Sequence, residues 1–182
     1  NQCAGTRSRR MPATGTVAAS AATSRLPGRA LAALITTAPP LLEGAAPGSE
    51  AFELLVKEVA REMTQKAGQK CTAIRRVFVP EALYGAAAEA IAARLAKTTV
   101  GNPRNDAVRM GALVNRAQLD SVREGLATLR AQAELLHDGA SHTLVDADPA
   151  IACCVGPTLL GCRTPDAAER VHDTEVFGPV AT

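Results

Sequence analysis

The residue pattern changes abruptly near Ser49, and this change limits where a folded domain can begin. Residues 1–48 are rich in Ala, Ser, Thr and Pro, and no acidic residue precedes Glu43. Five prolines in this stretch prevent a long amphipathic helix. We therefore expect residues 1–48 to be a disordered or non-native leader, with an Arg-rich transit peptide as the alternative.

From Ser49 onward, helical patterns alternate with short runs of β-branched and other apolar residues. Ser49 and Asn115 are suited to cap helices, and Gly68 is suited to end one. The predicted helices are Ser49–Gly68, Glu81–Lys97, Arg116–Glu134 and Thr164–Arg170, the last of them capped by Thr164. The predicted strands are Arg76–Val79, Leu135–His137 and Pro157–Leu160, with a turn or strand start at Phe177–Pro179. This alternation predicts an α/β layered domain over residues 49–182.

The composition argues against several classes of partner. Aromatic residues make up 2% of the chain and the net charge is +2, so we expect no nucleic-acid partner. No apolar run approaches the roughly 20 residues of a membrane span, so we expect no membrane partner. Five cysteines without a CxxC motif indicate free thiols in a cytoplasmic protein and no zinc site. The three histidines, at positions 137, 142 and 172, have no metal-binding spacing.

Cys71 is the strongest candidate for chemistry. The run TQKAGQKCTAIRRVFV over 64–79 places it after a helix and a glycine, in a loop that leads to a predicted strand. A nucleophilic thiol needs exposure and nearby backbone N–H groups, and such a loop offers both. Lys70, Arg75 and Arg76 add positive charge. A lone cysteine is also commonly a buried apolar residue, and the same is expected of Cys153, Cys154 and Cys162.

Two separated motifs resemble those of the aldehyde dehydrogenase superfamily. The run GQKCTA at 68–73 resembles the family's cysteine motif, and EVFGPV at 175–180 resembles its second signature. Between them, VGNP at 100–103, MGALV at 110–114 and GPTLL at 156–160 are similar to the intervening blocks, in order. The resemblance extends over residues 49–182. It implies part of a catalytic domain with three layers, in which helices cover a mostly parallel sheet.

The resemblance also implies a reaction. The thiolate of Cys71 would attack an aldehyde to give a thiohemiacetal, oxidation by NAD or NADP would leave a thioester, and hydrolysis would release the acid. The Cys71 backbone N–H would help to hold the oxyanion. Glu175 would bind the nicotinamide ribose hydroxyls and Phe177 would pack near the nicotinamide. From residue type alone, Glu175 is typical of a solvated loop and Phe177 of a core.

Residues 59–76 are similar to one branch of this family in particular. That branch acts in phenylacetate degradation beside a hydratase-like domain, which implies a CoA-linked semialdehyde as substrate, NADP as cofactor and a homo-oligomeric full-length protein. No residue here matches the family's general-base Glu, its oxyanion-holding Asn or its cofactor-binding turn. We therefore expect the chain to be inactive alone. The alternative is a non-catalytic α/β fragment that only contacts other subunits.

The family-like register begins near residues 46–51. Upstream residues do not resemble the family, and an out-of-frame leader over residues 1–48 would explain both the boundary and the composition.

Overall fold

The computed structural model describes residues 45–182. The leader prediction falls on residues 1–44 almost entirely, and so lies outside the described residues. The helices are α1 Glu50–Thr64, α2 Tyr84–Leu95, α3 Arg116–Arg130 and α4 Glu169–Asp173. The strands are β1 Val100–Gly101, β2 Glu134–His137, β3 Leu144–Val145, β4 Thr158–Gly161 and β5 Val180–Ala181. Short 3₁₀ turns occur at Gln65–Gly68, Glu81–Leu83, Gly139–Ser141 and Pro165–Ala167.

Helix α1 begins at the predicted Ser49 cap; its α-helical part ends at Thr64, and a 3₁₀ turn continues to the predicted end at Gly68. The Ser49 hydroxyl accepts a hydrogen bond from the Phe52 amide at 3.3 Å, and Glu50 and Glu53 lie in the first turn, where carboxylates favour the helix dipole. One stripe of the helix is buried: Phe52, Leu55, Val56, Val59, Ala60 and Met63. The helix passes into the 3₁₀ turn that ends at Gly68, so the helix supports the cysteine loop directly.

The sheet carries helices on both faces. Strand β4 lies between β2, which is antiparallel to it, and β5, which is parallel. Successive strand residues point to opposite faces. Accordingly Leu159 and Ala181 pack in the core of α1 and α2, whereas Leu160 and Val180 pack in the core of α3. The α/β class with three layers is confirmed, and two of the three strand pairings in the described residues are parallel.

Three local predictions are wrong. Arg76–Val79 is not a strand: only Arg76 forms a bridge, and the flanking Val77 amide and Arg75 carbonyl bond to Thr182. Helix α3 ends at Arg130, four residues early, because Glu134 pairs with Gly161 in the sheet. The Thr164 hydroxyl caps nothing, and α4 begins only at Glu169. The non-helical backbone of Ala168 separates the 3₁₀ turn from that helix.

His137 and His142 lie side by side at the end of β2. His142 Nδ1 lies 3.1 Å from the Thr98 carbonyl, which can only accept, so that nitrogen carries the proton. The His142 Nε2 then accepts a hydrogen bond from His137 Nε2 at 3.0 Å. Burial and the neighbouring His142 lower the pKa of His137, and Asp138 opposes that shift. The pair links β2 to the segment that precedes β1.

No helix within residues 45–182 combines the length and the hydrophobicity needed to cross a bilayer.

The buried stripe of α1 predicts a large loss of stability when one of its side chains is shortened. Met63 is fully buried, so Met63→Ala should lower the free energy of unfolding by about 2–5 kcal/mol through lost contacts and a cavity. The matched change Leu54→Ala, on the same helix but 55% exposed, should cost less than about 1 kcal/mol. Urea denaturation followed by circular dichroism measures both values. Equal effects would contradict the assigned face.

The lowered pKa of His137 predicts a stability that falls on acidification. The unfolded chain takes up this proton at about pH 6.5, before the folded chain does, so the melting temperature should drop as the pH is lowered through 6.5. His137→Gln keeps an amide donor toward His142 but takes up no proton, and should drop less. Thermal melts between about pH 7.5 and 5.5 test this. An identical slope in both proteins would contradict it.

Candidate active site

The two sequence motifs, more than 100 residues apart, are in direct contact. A Cβ atom placed on Gly68 would lie 2.2 Å from the Gly178 carbonyl oxygen and 2.8 Å from the Pro179 nitrogen. Only a residue without a side chain allows this approach. The cysteine loop therefore rests backbone to backbone on the second motif.

The approach to the loop uses an unusual backbone. Lys66, Ala67 and Gly68 have φ values of 54°, 51° and 67°, so three consecutive residues occupy the left-handed region. This conformation costs energy for Lys and Ala, and surrounding contacts must hold it. Ala67 is buried in the core of α3, and the Gln69 side-chain oxygen accepts a hydrogen bond from the Val114 amide at 2.9 Å.

A buried arginine ties the two motifs together. Arg75 is 5% exposed and donates to the Gly68 carbonyl at 2.6 Å and to the Gly178 carbonyl at 2.8 Å. Its guanidinium also lies 5.6 Å from the centre of the Phe177 ring, within range for a cation–π contact. Burial lowers the pKa of Arg75, and the carboxylate of Glu175 opposes that shift. Sequence reasoning counted Arg75 only as nearby positive charge.

Cys71 lies at the exposed tip of this loop. The residue is exposed and its thiol is free. It lies in a turn that is closed by a hydrogen bond from the Ala73 amide to the Lys70 carbonyl at 3.2 Å. Within residues 45–182 the Cys71 N–H meets no acceptor, so it can donate to an incoming group. An exposed thiol beside a free backbone donor has what nucleophilic attack on a carbonyl requires.

Glu175 and Phe177 lie on the segment that contacts the loop. Glu175 is exposed, and its charge acts on both Arg75 and Arg76. Phe177 is 41% exposed, with its carbonyl held by the Gln118 side chain at 2.7 Å. An exposed carboxylate and a partly exposed aromatic ring suit the ribose hydroxyls and the flat ring of a nicotinamide nucleotide, so the residues present fit part of such a cofactor.

The other two cations of the motif are engaged elsewhere. The Lys70 ammonium lies 2.7 Å from the Glu62 carboxylate and 2.8 Å from the Gln65 side-chain oxygen. Arg76 donates to the carbonyls of Val171 and His172, which anchors the segment after Cys71 to α4. Both side chains bind groups other than the thiol.

The remaining cysteines in the described part are half-buried, which corrects the expectation that Cys153, Cys154 and Cys162 are buried. Burial and the neighbouring Cys153 raise the pKa of Cys154. Within residues 45–182, no three metal-ligating side chains converge. A groove of about 310 Å³ lies between α2 and β4, and its lining does not include Cys71.

A layered α/β domain with an exposed cysteine on a glycine-bearing loop has the form of a thiol-dependent enzyme. The model of the aldehyde dehydrogenase family matches residues 49–182, and the chain belongs to that family.

Curated relatives cover the same region. The chain is 52% identical over 139 residues to 3,4-dehydroadipyl-CoA semialdehyde dehydrogenase of Aromatoleum evansii, covering 76% of this chain and 27% of that protein. It is 32% identical over 130 residues to 1-pyrroline-5-carboxylate dehydrogenase of Oceanobacillus iheyensis, covering 71% and 24%. The chain thus spans about a quarter of the length of the curated relatives it matches.

Solved structures share the fold. A double mutant of betaine aldehyde dehydrogenase from Staphylococcus aureus, in complex with NAD⁺, matches with a TM-score of 0.61 and 26% identity, over 72% of this chain and 26% of that one. A mutant of aldehyde dehydrogenase C from Pseudomonas syringae, in complex with NAD⁺ and octanal, matches with a TM-score of 0.66 and 22% identity, over 80% and 28%.

The contact at Gly68 predicts that adding a single methyl group at this position forces the two motifs apart. Gly68→Ala places that group against the Gly178 carbonyl in a left-handed backbone, and should cost about 2–4 kcal/mol of unfolding free energy. Gly85→Ala is the matched control, since its Cβ meets nothing within 4 Å and the change should stabilise α2 by up to about 1 kcal/mol. Urea denaturation measures both. A neutral Gly68→Ala would show that the motifs do not touch.

Proposed function

We propose that this chain supplies the nucleophile and part of the nicotinamide site of an NAD(P)-dependent aldehyde dehydrogenase, which oxidises an aldehyde to a carboxylic acid. The observation that carries the proposal is the contact between Gly68 and Gly178. That contact brings the loop of Cys71 against the segment of Glu175 and Phe177.

In this proposal the Cys71 thiolate attacks the aldehyde carbon, forming a C–S bond and leaving an oxyanion on the former carbonyl oxygen. The Cys71 N–H donates to that oxyanion, which stabilises the thiohemiacetal. The thioester that follows stays attached to Cys71 until water releases the acid. No residue of this chain is assigned as the general base for that last step.

Glu175 and Phe177 would hold the cofactor beside the adduct. The exposed Glu175 carboxylate would accept hydrogen bonds from ribose hydroxyls, and the Phe177 ring would pack against the nicotinamide. A nicotinamide nucleotide, when bound, supplies the two-electron oxidation of the adduct. Holding it in the correct orientation is the protein's contribution to this step.

We propose a CoA-linked semialdehyde of a phenylacetate-type degradation pathway as the substrate. The support is the 52% identity with a protein named as a CoA-semialdehyde dehydrogenase, together with the resemblance over residues 59–76. We also propose a cytoplasmic, homo-oligomeric full-length enzyme, and we expect no turnover from the 182-residue chain alone. The competing proposal, a non-catalytic fragment that only contacts other subunits, requires no reactive thiol.

Adduct formation at Cys71 separates these two proposals, because the thiohemiacetal forms without a cofactor. Incubation with an aldehyde that carries ¹³C at its carbonyl should produce a carbon signal of a tetrahedral centre bonded to sulfur. The signal should vanish in Cys71→Ser and persist in Cys162→Ser, the matched control on a half-buried thiol. A signal that persists in Cys71→Ser, or no signal in the folded wild type, would contradict the proposed enzyme.

A further inference from the structure

We propose that Arg75 is a positioning residue, which holds the Cys71 backbone amide where it can donate to the oxyanion. This inference rests on the proposed function, in which Cys71 attacks a carbonyl. It assigns to Arg75 a task beyond holding the fold together, because the peptide group that Arg75 orients is the one that would bind the reacting oxygen.

The geometry singles out one peptide group. The Lys70 carbonyl and the Cys71 N–H belong to the same planar unit, so fixing one fixes the other. The Lys70 carbonyl accepts from Arg75 Nη2 at 3.4 Å and from the Ala73 amide at 3.2 Å. The preceding amide of Lys70 donates to the Gly68 carbonyl at 3.0 Å, and the same carbonyl accepts from Arg75. One guanidinium thus bonds the peptide group that joins Lys70 to Cys71, and also the Gly68 carbonyl on which the Lys70 amide rests.

The charge on Arg75 also acts on the strength of the donor. A carbonyl that accepts a hydrogen bond from a cation is polarised, and the N–H of the same peptide becomes a better donor. Since Arg75 is buried, little water screens this effect. The Cys71 N–H, which has no acceptor among residues 45–182, is where the stronger donor would be used.

Arg76 provides a matched comparison. It is half-buried and donates to two backbone carbonyls, and burial lowers its pKa as it does that of Arg75. Its acceptors, Val171 and His172, lie on α4 and not on the cysteine loop. A variant of Arg76 should therefore lose stability without changing the oxyanion donor.

Comparing two reactions of the Cys71 thiol separates the effect of the oxyanion donor from other effects on the reaction rate. With p-nitrophenyl acetate, the thiolate adds to the ester carbonyl, a C–S bond forms, an oxyanion develops, and the C–O bond breaks to release p-nitrophenolate. With iodoacetamide, the C–S bond forms as the C–I bond breaks and iodide leaves, and no oxyanion develops. The ratio of the two rates at Cys71, read by mass spectrometry of the peptide, cancels changes in exposure and nucleophilicity and retains the oxyanion term.

We expect Arg75→Met to lower this ratio about tenfold, less than the 10²–10³ typical of deleting an oxyanion donor outright. Arg75→Lys, which keeps the charge but not the fork of donors, should give an intermediate value. Arg76→Met should leave the ratio unchanged although its melting temperature falls. An Arg75→Met ratio within about twofold of wild type would overturn the proposal.

Three further outcomes keep the test decisive. If Arg75→Met does not fold, the decision passes to Arg75→Lys, and a ratio equal to that of the wild type overturns the proposal. If the wild-type Cys71 is acylated no faster than Cys162, the proposed function fails and the role of Arg75 fails with it. Selective acylation of wild-type Cys71 with an unchanged ratio in the variants would refute the role of Arg75 alone.

Discussion

The buried guanidinium of Arg75 is the interaction on which the rest of the site depends. Placing a charge in the interior costs several kcal/mol unless hydrogen bonds compensate it. Here two short bonds, to the carbonyls of Gly68 and Gly178, and a longer one to Lys70 offset that cost at about 1.5–3 kcal/mol for each strong bond. The Nε–H of Arg75 has no partner within the described residues, so the compensation is incomplete. All three acceptors belong to the two motifs that form the site.

That interaction explains the backbone around the cysteine. Three left-handed residues from Lys66 to Gly68 turn the chain out of α1 and present the Gly68 carbonyl to the guanidinium. The strain is held locally by the buried Ala67 and by the contact with Gly178. Cys71 follows on a loop whose base is fixed and whose tip is exposed. A rigid base with an exposed tip is the arrangement that a nucleophile needs if its attack is to be oriented.

The sequence predicts the helices and their caps better than the contacts between distant segments of the chain. The apolar stripe of α1, its Ser49 cap and the Asn115 cap are local signals, and all three are confirmed. The Arg76–Val79 strand fails because strand formation depends on a partner from elsewhere in the chain, which periodicity does not reveal. The role of Arg75 is not predicted for the same reason, since its hydrogen bond to Gly178 joins residues that are 103 positions apart. The proximity of His137 and His142 depends on the 3₁₀ turn Gly139–Ser141, which lies between them.

We propose that folding makes the thiol of Cys71 more reactive than those of the other cysteines in the described residues. Site-resolved alkylation with a limiting amount of iodoacetamide, in native buffer and again in urea, tests it most directly. We expect Cys71 to be modified at least about tenfold faster than Cys153, Cys154 or Cys162 in native buffer, because it is the exposed thiol of the described residues. Urea should abolish the difference. Equal rates in native buffer would contradict an organised site at Cys71.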